Sequence, residues 1–328
     1  MATRFGWLCS HESYQPEELV EQAVLAEEVG FDLVLASDHF TPWVDDVGAA
    51  GFVWAWLGAV AARTARVELA TSVTSPLFRY HPAVIAQAAA TVDRLSSGRF
   101  LLGVGSGEAI NETQLGYSFP GFAERMARMD EALEIIHRLL AGEKVDFAGR
   151  YYSTSAAKLY SPPPRRTPVL MAAGGPKAAA FAGSHADGLL TSVKDPKETL
   201  ERVIEPFRAA AEARGFNDPP IVATRWVVLA SGEDEAWRAL GSMRGLRAPG
   251  RDSVTDPAVL RERADAMDHA EILGKYTVVD GPDGLVEAYR PLVTDVGAHY
   301  VSIQVASLDP NAAIELVGRD VIPRLRAL

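Results

Sequence analysis

Short apolar runs recur along this chain between amphipathic stretches, and each run gives way to polar or glycine-rich residues. The runs cover residues 4–10, 33–39, 67–74, 100–107, 169–175, 188–193, 221–229 and 300–305. Nearly continuous apolar runs of this length predict strands buried on both faces, as in a parallel sheet. Residues 16–29, 82–95, 176–185, 197–214 and 311–325 instead carry apolar positions at helical spacing. This alternation predicts eight βα units, and eight suit a closed TIM (β/α)8 barrel of the α/β class better than an open sheet. Two stretches exceed the minimal unit. Residues 119–160 hold a long helical pattern at 125–140 and a hairpin at 145–153, while 231–287 read as mostly helical with a loop at 247–251. Insertions of this kind shape the mouth of a barrel. No solenoid repeat or low-complexity tract interrupts the pattern, so residues 1–328 are expected to form one barrel domain.

Composition narrows the class of partner. The formal net charge of −11 speaks against nucleic acid, because phosphate-backbone binding needs a basic face. Any anionic substrate must therefore meet a local cationic pocket. The lone Cys9 has no internal disulfide partner and lies in the first apolar run, which predicts a buried thiol in a reducing cytoplasm. No apolar run is long enough to span a membrane, and the first residues lack the apolar region of a signal peptide. The expectation is a cytoplasmic protein with no membrane partner.

In a parallel barrel the chemistry gathers where strands end, because loops from different strands converge there on one cavity. The strand ends read Ser10-His11-Glu12, then Asp38-His39 with Trp43 close behind, then Thr71 to Ser75. Gly103-Val104-Gly105-Ser106-Gly107-Glu108, Ala172-Ala173-Gly174-Gly175-Pro176 and Thr191-Ser192-Val193-Lys194 follow. His39 titrates near neutrality when unperturbed, which suits it to take a proton from an alcohol as hydride leaves the same carbon. Asp38 is its neighbour in sequence, but adjacent strand residues point to opposite faces, so Asp38 need not orient it. Glu108, held between glycine and alanine, reads as a pocket carboxyl able to exchange a proton with a reduced ring. Glu12, judged by its neighbours alone, reads as a solvated loop carboxylate, and Trp43 as a packing residue. The glycine run at 103–107 lacks the spacing and context of a nicotinamide-binding fingerprint. Pro176 suits the first turn of a helix whose N-terminus would attract a phosphate.

Together these motifs resemble the luciferase-like superfamily of flavin and deazaflavin enzymes, and within it the F420-dependent glucose-6-phosphate dehydrogenases. The resemblance runs from Gly6 to Pro323-Arg324-Leu325. It rests on Ser37-Asp38-His39-Phe40 with Pro42-Trp43, on Thr71-Ser72-Val73, and on Phe78-Arg79-Tyr80 with Pro82 to Gln87. Gly105, Gly107-Glu108-Ala109, Asn111-Glu112 and Ala172 to Pro176 complete it.

The resemblance implies a TIM barrel that binds coenzyme F420 against a bulge at the third strand, with a cis peptide joining Ser72 and Val73. It implies cofactor contacts from Asp38, Ser72, Val73, Ser75, Ser106, Gly107, Asn111, Ala173, Gly174 and Gly175, and it assigns no metal ligand. His39 would take the substrate hydroxyl proton and Glu108 would exchange a proton with the ring, with Trp43 and Glu12 in support. Thr191, Lys194, Arg251 and Lys275 match positions that hold a sugar phosphate, although Arg251 and Lys275 exchange cation types relative to the family. Guanidinium is a planar fork and ammonium a point charge, so charge is kept while geometry changes. The implied activity is oxidation of the anomeric hydroxyl of a hexose 6-phosphate, glucose 6-phosphate foremost, by a homodimer. The alternatives are another F420-dependent alcohol or sugar-phosphate dehydrogenase or reductase, and an FMN-dependent monooxygenase of the same superfamily.

Overall fold

Eight parallel strands close on themselves in the computed structural model, which describes residues 2–328. They are Arg4–Cys9, Leu33–Ala36, Glu68–Thr71, Phe100–Val104, Val169–Ala172, Gly188–Ser192, Ile221–Leu229 and Tyr300–Ala306. Each pairs with its successor, and the first pairs with the eighth to complete the ring. All eight lie within or beside the apolar runs. Leu8, Leu33, Leu35, Ala70, Leu170, Leu190 and Val222 pack as one buried cluster, while a larger cluster joins alternate strand residues such as Val34, Leu69 and Ile303 to helix residues such as Leu19, Leu57 and Ile85. Strand alternation thus serves two apolar layers at once, which explains the lack of polar alternation.

The helices form where capping chemistry permits. Pro82 opens the helix Pro82–Leu95, and the preceding His81 ring accepts from the Ala83 amide at 3.1 Å. Pro176 likewise takes the first position of Pro176–His185, directly after Gly174-Gly175 and without a side-chain cap. No helix among the described residues is long and apolar enough to cross a membrane.

The two excursions differ from expectation in detail. The long helix begins at Phe122 and runs to Leu140, and the hairpin pairs Val145–Ala148 with Ser153–Ala157. The stretch expected to be mostly helical contains a further strand, Thr277–Val279, which pairs in parallel with the seventh barrel strand. Three β-branched residues are too few to show a period, so only the neighbouring strand reveals them as sheet.

A bulge after the third strand sets one wall of the barrel mouth. Thr74 bridges to Val104 while the Gly103 carbonyl accepts from Thr74 N–H and the Thr74 carbonyl accepts from Gly105 N–H, at 3.0 and 2.8 Å. The intervening Ser72–Val73 peptide is cis. Glycines make this approach possible: a Cβ on Gly103 would lie 2.0 Å from the Thr71 carbonyl oxygen, and one on Gly105 would lie 2.4 Å from Val73 Cγ2. Backbone cannot retreat as a flexible side chain can. Gly103→Ala is therefore expected to destabilise the fold by about 3 kcal/mol, the upper end of typical overpacking costs. Urea unfolding would read this as a lower midpoint, and an unchanged midpoint would show that the wall yields.

Candidate active site

The strand ends surround a cavity of about 430 Å³. Twelve of the residues singled out from the sequence line it: Asp38, His39, Ser72, Val73, Ser75, Ser106, Gly107, Glu108, Asn111, Ala173, Gly174 and Thr191. Leu190, Ala172 and Val73 supply apolar wall, while Thr224, Trp226 and Gln304 from the seventh and eighth strands close the far side. Those last three fell inside apolar runs, where nothing in sequence separated cavity-facing residues from core.

His39 sits at the rim with its side chain 13% exposed. Its Nδ1 lies 3.1 Å from the Thr41 carbonyl, which can only accept, so this contact puts the ring proton on Nδ1 and leaves Nε2 as a base. Asn111 steadies the turn: its Oδ1 accepts from the Phe40 and Thr41 amides at 2.9 and 3.1 Å, and its Nδ2 lies 3.3 Å from His39 Nδ1. Trp43 packs on the imidazole with ring centroids 5.2 Å apart. Glu108 Oε2 stands 3.7 Å from Nε2, so base and carboxyl face each other across the rim.

Asp38 points elsewhere. Its carboxylate accepts from the Thr74 hydroxyl and pairs with Arg79 Nη2 at 2.9 Å, and Arg79 also donates to the Asp38 carbonyl at 2.6 Å. The second strand's end is thereby clamped to the bulge, and His39 takes its orientation from the Thr41 carbonyl, in a turn that Asn111 Oδ1 holds. Glu12 is not a solvated carboxylate as its neighbours suggested. It is 4% exposed and accepts from the Ser37 hydroxyl, whose oxygen accepts from His11 N–H at 2.9 Å. Glu12 lies outside the cavity lining, behind the strand end that carries His39. A further carboxyl, Glu112, lines the cavity and is 1% exposed. It belonged to the motif ending Asn111-Glu112, and only its burial distinguishes it.

The four residues matched to a phosphate site do not share one role. Thr191 lines the cavity, and its hydroxyl is buried without a partner. The Lys194 ammonium is pushed below the usual lysine range, first by the Arg247 guanidinium, then by burial and by Arg251. Lys194, Arg247 and Arg251 therefore share one positive field at the mouth. Arg251 also donates to Glu108 Oε1 at 3.3 Å and lies over the Trp43 ring at 5.4 Å. Lys275 is drawn aside, its Nζ 3.7 Å from Glu271 on the same turn and 3.5 Å from the Arg247 carbonyl. Sequence reasoning missed Arg247, which stands first in the 247–251 loop.

Two adjoining spaces extend the cavity. One of about 360 Å³ is bounded by Trp43, Glu108, Phe119, Pro120 and Arg251, so both excursions contribute to it. Another of about 450 Å³ runs from Ser106 past Gly174, Gly175 and Lys177 at the start of the helix Pro176–His185. A planar deazaflavin with an anionic tail fits this arrangement. The bulge offers an apolar wall, the buried Ser75 hydroxyl and the Gln304 side-chain oxygen Oε1 lack protein partners, and nothing lies within 4 Å of a Cβ placed on Gly174 or Gly175.

The family model described as luciferase-like monooxygenase matches residues 3–299. An F420-dependent glucose-6-phosphate dehydrogenase of Nocardia farcinica is 40% identical over 330 residues, covering 98% of each chain. The chain belongs to the F420-dependent glucose-6-phosphate dehydrogenase family of luciferase-like proteins. A member of this family from Mycolicibacterium gilvum is likewise 40% identical, over 99% of this chain and 98% of its own. Among solved structures, an F420-dependent secondary alcohol dehydrogenase in complex with an F420-acetone adduct superposes with a TM-score of 0.91. It is 31% identical and covers 99% of both chains. The F420-dependent tetrahydromethanopterin reductase of Methanopyrus kandleri, 24% identical with a TM-score of 0.80 over 99% of this chain and 100% of its own, shares the fold.

Proposed function

We propose that this protein is an F420-dependent dehydrogenase that oxidises the anomeric hydroxyl of a hexose 6-phosphate, glucose 6-phosphate foremost, to the 6-phospho-lactone. The observation that carries the reading is His39 Nε2, free of a hydrogen-bond donor and facing Glu108 at the edge of the cavity, with Arg251 of the cation group on the far side of that carboxylate. The full-length relatives at 40% identity support the same activity.

Bound F420 supplies the hydride acceptor. With the hydride going to that acceptor, the anomeric hydroxyl would give its O–H proton to His39 Nε2 as it is oxidised to the lactone carbonyl. The Thr41 carbonyl holds the imidazole through Nδ1 during this transfer, Asn111 Oδ1 holds the Phe40-Thr41 turn that presents it, and Trp43 limits its rotation. Glu108, close to both His39 and the cavity, exchanges the proton that balances hydride arrival. Lys194, Arg247 and Arg251 receive the phosphate, with the unpartnered Thr191 hydroxyl in the cavity as a further donor, in a protein whose overall charge repels anions.

The protein is further read as a cytoplasmic homodimer formed by one barrel domain. Val84 and Leu95, about three turns apart on one helix, are 51% and 56% exposed and offer an apolar face to a second copy.

Loss of deazaflavin absorbance on mixing the protein with oxidised F420 and a panel of hexose phosphates, free hexoses and secondary alcohols tests this reading. Rapid reduction by glucose 6-phosphate is expected. Reduction by secondary alcohols alone would favour the alcohol dehydrogenase reading, which the displaced Lys275 and the alcohol dehydrogenase structure support. Oxygen consumption with reduced FMN and no F420 chemistry would favour the monooxygenase. Sedimentation of the same preparation as a monomer would remove the dimer.

A further inference from the structure

Two buried carboxyls at the cavity, Asp38 and Glu112, have no task in the reaction above, and of these Asp38 is paired with Arg79 while Glu112 is not. Glu112 ends the short helix Ala109–Glu112, and neither of its carboxyl oxygens meets a protein donor in good hydrogen-bond geometry, the Arg79 amide acting on it only from outside that geometry. A Cβ placed on Gly107 would lie 3.0 Å from Glu112 Oε1 and 3.0 Å from Ser75 Oγ, so the carboxyl and the hydroxyl flank the same glycine. The Ser75 hydroxyl is also buried and unpartnered. Two unsatisfied polar groups thus lie on either side of one glycine at the edge of the cavity. Buried polar groups are normally satisfied, so such a pair marks where a ligand's own polar atoms belong.

The charges around Glu112 determine its state. Burial is the main influence and pushes its pKa up to about 7. The nearby Arg79 guanidinium and amide draw it down, Asp38 pushes it up, and His39 draws it slightly down. Arg79 already pairs with Asp38, which limits the positive charge left for a second carboxylate. The Tyr80 and Tyr152 hydroxyls also lie within the field of Glu112, and both phenols are held neutral by burial.

We propose that Glu112 is a cofactor-binding residue that works as the neutral carboxylic acid, its O–H donating to an acceptor oxygen of the deazaflavin ring beside the Ser75 hydroxyl. An ionised Glu112 has no proton to donate, and it would set a second carboxylate beside Asp38 against an anionic cofactor. F420 uptake is therefore coupled to a proton. The cofactor selects the acid form, so affinity is full below the Glu112 pKa and falls as pH rises through it. This inference rests on the F420 reading of the cavity.

Equilibrium dialysis against oxidised F420, from two pH units below about 7 to two above, tests it. In the wild type the apparent Kd is expected to rise about tenfold per unit at the alkaline end. Glu112→Gln, which keeps a neutral donor, is expected to bind with a Kd lacking that component, any ionisation of F420 itself being common to both proteins. Calorimetry of the wild type alone, in buffers of different ionisation enthalpy, should show uptake approaching one proton per F420 bound above pH 7. Equal pH slopes in the two proteins, or no proton uptake by the wild type, would overturn the role of Glu112 while leaving F420 as the cofactor. Absence of F420 binding at every pH would instead overturn the functional reading and this inference with it.

Discussion

Replacing His39 by alanine is expected to lower kcat for hexose phosphate oxidation by about a hundredfold to ten-thousandfold, the usual contribution of a positioned general base. The F420 Kd should barely change. Nδ1 is occupied by the Thr41 carbonyl and Nε2 faces Glu108, so the ring's free valence points at the site of the reacting hydroxyl. A loss confined to kcat, with a normal Kd by equilibrium dialysis, separates lost proton transfer from a collapsed pocket. Glu108 is the nearest group that could stand in for the base, and its pairing with Arg251 keeps it poorly placed to do so. Survival of turnover at the wild-type level would remove His39 from the chemistry and shift attention to Glu108.

The second large effect concerns the anion. Lys194→Ala should raise KM for glucose 6-phosphate roughly tenfold to a hundredfold, because a charge-assisted hydrogen bond contributes about 1.5–3 kcal/mol. Turnover of a neutral alcohol, if the enzyme accepts one, should not change. Lys194 has no carboxylate partner among the described residues and already feels repulsion from Arg247 and Arg251, which an incoming phosphate would relieve. Lys275→Ala should do far less, since that ammonium is engaged by Glu271 and a backbone carbonyl. Steady-state kinetics on the two variants decides the matter. Equal penalties would place Lys275 back at the phosphate, and equal effects on phosphosugar and alcohol would dissolve the anion site.

Much of this site was legible in the chain because barrel strands convert linear order into spatial order. Each strand end reaches the same rim, so Asp38-His39, Ser72-Val73, Ser106-Gly107-Glu108, Ala173-Gly174 and Thr191 meet at one cavity without any loop having to be foreseen. The separation of Asp38 from His39 followed from strand alternation, and the structure clamps Asp38 to Arg79 and Thr74. Glu12 was misjudged as a solvated carboxylate because its partner Ser37 lies just past the end of the neighbouring strand. Glu112 carried no distinguishing mark, since the desolvation that sets its protonation depends on everything packed around it.

By itself, then, the amino-acid sequence determined the eight-strand barrel, the residues at its rim and the family, because each depends on local period and on motifs read within a few positions. Only the tertiary structure decided which charges meet. Arg251 reaches Glu108 across 143 residues, Arg247 rather than Lys275 presses on Lys194, and Glu112 is sealed beside Ser75. Ion pairs and burial act over a few ångströms, and those distances are set by how the 231–287 excursion and the strand ends come together at the barrel mouth, which no periodicity along the chain encodes.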